Sequence, residues 1–126
     1  MTNRTTAGTR SVVVTGLGAV TNVGHDAASV WDAMRQGRSG ISLIENSPWF
    51  EHYEKDWPVK IAGQVKDWPV ESILDRREAR RLDRSNHFGI SAAVEAVNQS
   101  GINFEQTDPT RCGVVFGSGV GGIETI

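Results

Sequence analysis

Ser11-Val12-Val13-Val14-Thr15, followed at once by Gly16-Leu17-Gly18, reads as a short β-branched run stopped by a glycine turn. An unbroken run of this kind fits a strand buried on both faces, as parallel sheets use, rather than one with a wet side. Glycine placed just after such a strand lets the backbone turn tightly and approach another segment closely. From Asp26 the period changes. Ala27, Val30, Trp31 and Met34 recur at helical spacing, with Asp26 as N-cap and Gly37 as the residue past the end, so a helix is predicted over 27–36. The same grammar returns later in the chain. Residues 85–100 predict a second helix, with Phe88, Ala92 and Ala96 on one face, Ile90, Ala93, Val94 and Val97 on another, and Gly101 closing it. A helix apolar on most sides expects a central, covered position. Gly113-Val114-Val115-Phe116 predicts a second buried strand, and Gly117-Ser118-Gly119-Val120-Gly121-Gly122 a second glycine turn. Strands, glycine turns and a buried helix together imply an α/β layered fold. These apolar faces exceed what 126 residues can cover, so the chain reads as part of a larger structure.

Between these segments the pattern is looser. Residues 1–10 are polar and read as a disordered lead-in without the apolar middle of a signal peptide. Residues 41–69 are irregular and rich in tryptophan, with one short strand expected within Lys60 to Val65 and a helical turn over Val70 to Leu74. The pentapeptide Lys-Asp-Trp-Pro-Val occurs at 55–59 and again at 66–70. Two copies eleven residues apart are too few and too short for a solenoid. Each proline pushes its tryptophan toward extended geometry, which places both copies in loops or strand edges.

Composition narrows the function classes. Thirteen Lys and Arg against fifteen Asp and Glu leave a formal charge of −2, too little positive charge for general nucleic-acid binding. No stretch approaches a membrane span. Apolar residues at 38% and charged residues at 22% describe a globular chain. The single cysteine, Cys112, permits no internal disulfide and fits a reducing, cytoplasmic setting.

The candidate sites differ in weight. Gly117-x-Gly119-x-x-Gly122 matches a dinucleotide fingerprint literally, but the motif also needs a following helix and an acidic residue about 20 positions on. A tight turn allowing close backbone approach is the plainer reading, and nucleotide binding is kept as a competing one. Cys112 reads as structural, since reactive cysteines usually sit in exposed turns at helix starts. His25, His52 and His87 lie far apart and show no metal-ligand spacing. No metal site and no catalytic residue are assigned. Arg76, Arg77, Arg80, Arg81 and Arg84 place five arginines in nine residues, opposed by Glu78 and Asp83. If helical, Arg77, Arg80, Arg81 and Arg84 form one basic stripe. Like charges at that spacing repel, so an acidic partner fits the stripe better than bare solvent does.

Taken in order, these residues resemble a known family. Val12-Val13-Val14-Thr15-Gly16-Leu17-Gly18-Ala19-Val20-Thr21 with Val23-Gly24 is similar to the opening of the β-ketoacyl-acyl carrier protein synthases, the condensing enzymes of fatty-acid synthesis. So are Gly37-x-Ser39-Gly40-Ile41, Ala62-Gly63-x-Val65-Lys66-Asp67, Arg80-Arg81-Leu82-Asp83 and the loop 117–122. The resemblance runs over 11–126 and is nearest to the elongating type, synthase II. It implies a thiolase-like fold of α/β/α/β/α layers, of which 11–126 would be the first part of the N-terminal half, acting as a homodimer without a cofactor. The implied partners are acyl carrier protein and its acyl and malonyl thioesters. By position, Arg77, Arg80 and Arg81 correspond to the family's carrier-docking surface, and Gly119 and Val120 to its acyl-chain pocket. The family's nucleophilic cysteine and two histidines lie downstream of the glycine loop. None of Cys112, His25, His52 and His87 matches them, so the expectation is a chain inactive alone, or one that only binds carrier protein. The segment from Ser47 to Trp57 is longer and more aromatic than the family pattern.

Overall fold

The computed structural model describes residues 11–45, 47–53 and 56–122, so the lead-in expected over 1–10 lies outside the described residues. The first helix, α1 (Ala27–Arg35), follows from its caps. Asp26 is extended and its carboxylate accepts the Ser29 N–H at 2.6 Å, while Ser29 Oγ accepts the Asp26 N–H at 3.3 Å. This reciprocal pair satisfies two helix-end donors. Gly37 past the other end takes a φ of 64°, where a side chain is strained. The Ser29 N–H bond holds the Asp26 carboxyl below its ordinary value of 3.8. That contribution to stability is therefore complete above pH 3.8 and is lost as pH falls through the lower folded value. Asp26→Ala is expected to cost about 1 kcal/mol by urea unfolding at pH 7. Asp26→Asn should stay close to the unmodified chain there while losing this part of the acid sensitivity.

A two-residue ladder follows. β1 (Ser42–Leu43) runs antiparallel to β2 (Ile61–Ala62), with Ser42 opposite Ala62 and Leu43 opposite Ile61. The Ile44 N–H donates to the Lys60 carbonyl, and the Gln64 side-chain amide both donates to and accepts from the Glu45 backbone at 2.8 Å. A side chain thus continues the pairing where the strand stops. The connection between them carries α2 (Pro48–Tyr53), begun by Ser47, whose Oγ accepts the Phe50 N–H, and fixed by burial of Phe50. β2 falls within the strand expected over 60–65; α2 was not foreseen, although serine followed by proline is a helix-start signal.

Val70–Ser72 forms one 3₁₀ turn as expected, with Leu74 buried beneath it. Then come α3 (Arg76–Ala79), capped by Asp75, and α4 (Arg84–Ser100), capped by Asp83 and closed by Gly101 in the left-handed conformation. Two loop segments approach α4 closely. A Cβ on Gly16 or Gly18 would fall on the carbonyl oxygens of Ala96 and Ala92, and one on Gly89 would strike the Phe116 ring. Residues 89, 92 and 96 share one face of α4, so the first glycine turn and Phe116 lie against the same face. Leu17 N–H donates to Gln99 Oε1 at 2.6 Å and Ala19 N–H to Glu95 Oε2 at 2.9 Å, pinning that turn in place.

Two expectations are corrected. Residues 11–15 and 113–116 carry no strand ladder among the described residues, and Val12 and Val115 are 96% and 99% exposed. A strand buried on both faces needs neighbours on both sides and a layer on each face. No such neighbours are present among the described residues. α4 is also less covered than its composition predicts, with Val94 and Val97 exposed and only Ser91 buried. Among the described residues, no helix is long and apolar enough to cross a membrane.

Candidate functional site

The arginine-rich segment does not form one stripe. α3 stops at Ala79, Arg80 and Arg81 form a turn, and Asp83 starts a new helix by accepting the Ser85 N–H at 2.9 Å. The spacing argument required a continuous helix, and the capping aspartate interrupts it. Arg84 is consequently diverted. Its Nη2 donates to the Val65 carbonyl and its guanidinium lies 5.2 Å from the centre of the Phe88 ring. Arg77, Arg80 and Arg81 remain exposed, and none has a carboxylate partner among the described residues. His87, half-buried on the first turns of α4, donates from Nε2 to the Ala79 carbonyl at 2.9 Å and joins the two helices.

Behind Arg84 sits the second pentapeptide copy. Trp68 is half-buried, edge-on to His25 at 5.4 Å and to Phe88 at 5.9 Å. Asp67 before it takes a positive φ of 52°, which aspartate tolerates better than most residues. In the first copy Trp57 is 45% exposed. Identical sequence therefore meets two environments: residues 56–59 of the first copy and 66–69 of the second lie outside helices and strands, as expected, while Val70 begins the 3₁₀ turn.

The loop 117–122 is open. Gly121 and Gly122 have φ of 61° and 56°, Gly117 and Gly119 have nothing within reach of a Cβ, and Val120 is exposed. Positive φ at the last two glycines is the one backbone demand this loop makes of its composition. An open groove of about 560 Å³ lies elsewhere, between the start of α1 and the β1–β2 hairpin. Its lining mixes Arg38 and Lys66 with Asp26, and Lys66 is already paired with Glu45 at 2.9 Å, so no one sign of charge prevails.

Cys112 is exposed at the end of a 3₁₀ turn over Pro109–Arg111, its Sγ 3.6 Å from the Asp108 carbonyl. Among the described residues, no group of three or more His, Cys, Asp and Glu side chains could hold a metal ion. Glu95 is the residue that sequence reasoning missed. Its two oxygens accept the N–H groups of Ala19 and Ala27, at 2.9 and 2.8 Å, and so join α4, the glycine turn and the N-terminus of α1. A glutamate on a helix ordinarily reads as solvated, and nothing local announces partners 76 and 68 residues away.

Comparison with known proteins assigns this arrangement. Residues 9–125 match the family model for the β-ketoacyl synthase N-terminal domain. The 3-oxoacyl-acyl-carrier-protein synthase 2 of Synechocystis sp. is 35% identical over 117 residues, covering 93% of this chain and 27% of that protein. The synthase of the same name from Vibrio harveyi is 36% identical over 118 residues, again 93% and 27%. That of Staphylococcus aureus strain COL is 35% identical over 116 residues. The chain thus spans 27% of the length of these curated relatives. With the match running through both glycine turns and the whole of α4, the chain belongs to the β-ketoacyl synthase family.

Proposed function

We propose that these residues are the opening part of a 3-oxoacyl-acyl-carrier-protein synthase of the elongating type, within a thiolase-like layered homodimer. The observation that carries this is the 35–36% identity to synthases of that name over nine-tenths of the chain. Its exposed apolar segments 11–15 and 113–116 support the same reading, since apolar runs without sheet neighbours are what an incomplete layered sheet presents. In such an enzyme an acyl group passes from carrier protein to a cysteine thiolate. Malonyl-carrier protein then loses carbon dioxide, and the resulting carbanion attacks the acyl thioester and expels the thiolate. This chain contributes the exposed arginines Arg77, Arg80 and Arg81 for an acidic carrier protein, and Gly119 and Val120 for the wall of the acyl pocket. It contributes neither the nucleophile nor the histidines. Arginine suits the first task because its fork holds carboxylates and speeds encounter.

The test is a hybrid in which residues 9–125 replace the matching part of the Vibrio harveyi synthase. The hybrid is expected to condense acyl and malonyl thioesters, whereas the 126-residue chain alone releases no carbon dioxide from malonyl-carrier protein. In the hybrid, Val120→Phe is expected to shift products to shorter chains by filling the pocket wall. A folded hybrid without condensing activity, or decarboxylation by the chain alone, would overturn the reading.

A further inference from the structure

We propose that His87 is a positioning residue for the carrier-docking arginines, an inference that rests on the docking role given above to Arg77, Arg80 and Arg81. These three guanidinium groups repel one another, so their spacing has to be held by the backbone beneath them. That backbone is weak on its own: α3 has four residues, far below the length at which an isolated helix persists. It is instead clamped at both ends by side chains. Asp75 Oδ1 accepts the N–H groups of Arg77 and Glu78 at 2.7 and 2.9 Å, fixing the start. His87 Nε2–H donates to the Ala79 carbonyl at 2.9 Å, fixing the end. Ala79 stands between Arg77 and Arg80, so this bond ties the middle of the arginine set to the long helix α4. Arg84, one turn before His87, is held away by the Val65 carbonyl and leaves the position to the imidazole. The bond requires only a donor at Nε2, so a neutral donor of similar reach replaces it.

The experiment titrates fluorescently labelled acyl carrier protein against the full 126-residue chain and its His87→Ala, His87→Gln and Arg80→Glu variants, with helix content followed by circular dichroism. Arg80→Glu is expected to abolish binding. His87→Ala is expected to weaken it about fivefold, the worth of one ordinary hydrogen bond, at unchanged helix content. His87→Gln is expected to recover most of that loss, because its amide N–H can reach the same carbonyl. Binding by His87→Ala at full strength, or a glutamine variant as weak as alanine, overturns the positioning role alone. If His87→Ala loses helix content, the glutamine variant decides by the same criterion. An unmodified chain that does not bind, or an Arg80→Glu chain that binds normally, overturns the docking reading and this inference with it.

Discussion

Gly18→Val is expected to abolish the cooperative thermal transition of the chain and to release the first glycine turn from α4. A Cβ at Gly18 falls on the Ala92 carbonyl oxygen, and the branched side chain reaches further still. That oxygen belongs to the middle of a 17-residue helix and cannot rotate aside as a side chain would. The turn must therefore lift, and the bonds from Leu17 to Gln99 and from Ala19 to Glu95 go with it. Overpacking and two lost hydrogen bonds together cost about 4 kcal/mol. Small domains are stable by only about 5–15 kcal/mol, and a chain with three buried apolar residues among those described belongs at the lower end. Gly37→Ala is the contrasting case. Its φ of 64° is strained for alanine, but nothing lies near the added methyl, so the cost is about 1 kcal/mol and the transition survives. Circular dichroism melts of the two variants separate close approach from backbone conformation. Equal losses in both would show that the Ala92 contact is not what matters.

Glu95→Ala is expected to lower stability by about 2–3 kcal/mol, more than any other single polar truncation on α4. The carboxylate serves two backbone donors at once, and each charge-assisted bond contributes about 1.5 kcal/mol at a half-buried position. One of those donors is the first N–H of α1, where negative charge is favoured by the helix dipole. Glu95→Gln keeps one oxygen acceptor and turns an NH₂ toward the second N–H, so it should recover about half. The urea midpoint measures the total, and amide exchange at Ala19 and Ala27 assigns it. Unchanged exchange at both amides in Glu95→Ala would refute the pinning role.

The parts of this fold that were legible are those written in neighbouring residues. Asp26 with Ser29 and Gly37 marks both ends of α1, and Gly101 marks the end of α4. The two-glycine turn announced a close backbone approach, and Gly16 and Gly18 make it against α4. What was not legible depends on distant partners. Residues 11–15 and 113–116 carry a strand's composition, but composition records a preference for burial and cannot supply the strand that would provide it. The arginine stripe failed for a local reason: Asp83 captures the Ser85 N–H and restarts the helix, which helical spacing alone ignores. Glu95 was invisible because a polar helix residue looks the same whether it faces water or a backbone 76 residues away. At the candidate site, the exposure of Arg77, Arg80 and Arg81 is what the structure gives, whereas their docking role and the pocket role of Gly119 and Val120 both rest on family resemblance.

The span closed by the Glu95 pin also sets how freely the chain between can vary. Ala19 and Glu95 bracket 75 residues, counted from their separation of 76, and the hairpin with its aromatic tip lies wholly inside that loop. Closure entropy grows only with the logarithm of loop length, so even doubling the span would cost about 0.6 kcal/mol. Adding residues at the hairpin tip is thermodynamically almost silent at α4. The tip is thus a region where this chain can lengthen, shorten or change its aromatic content while the first glycine turn stays seated.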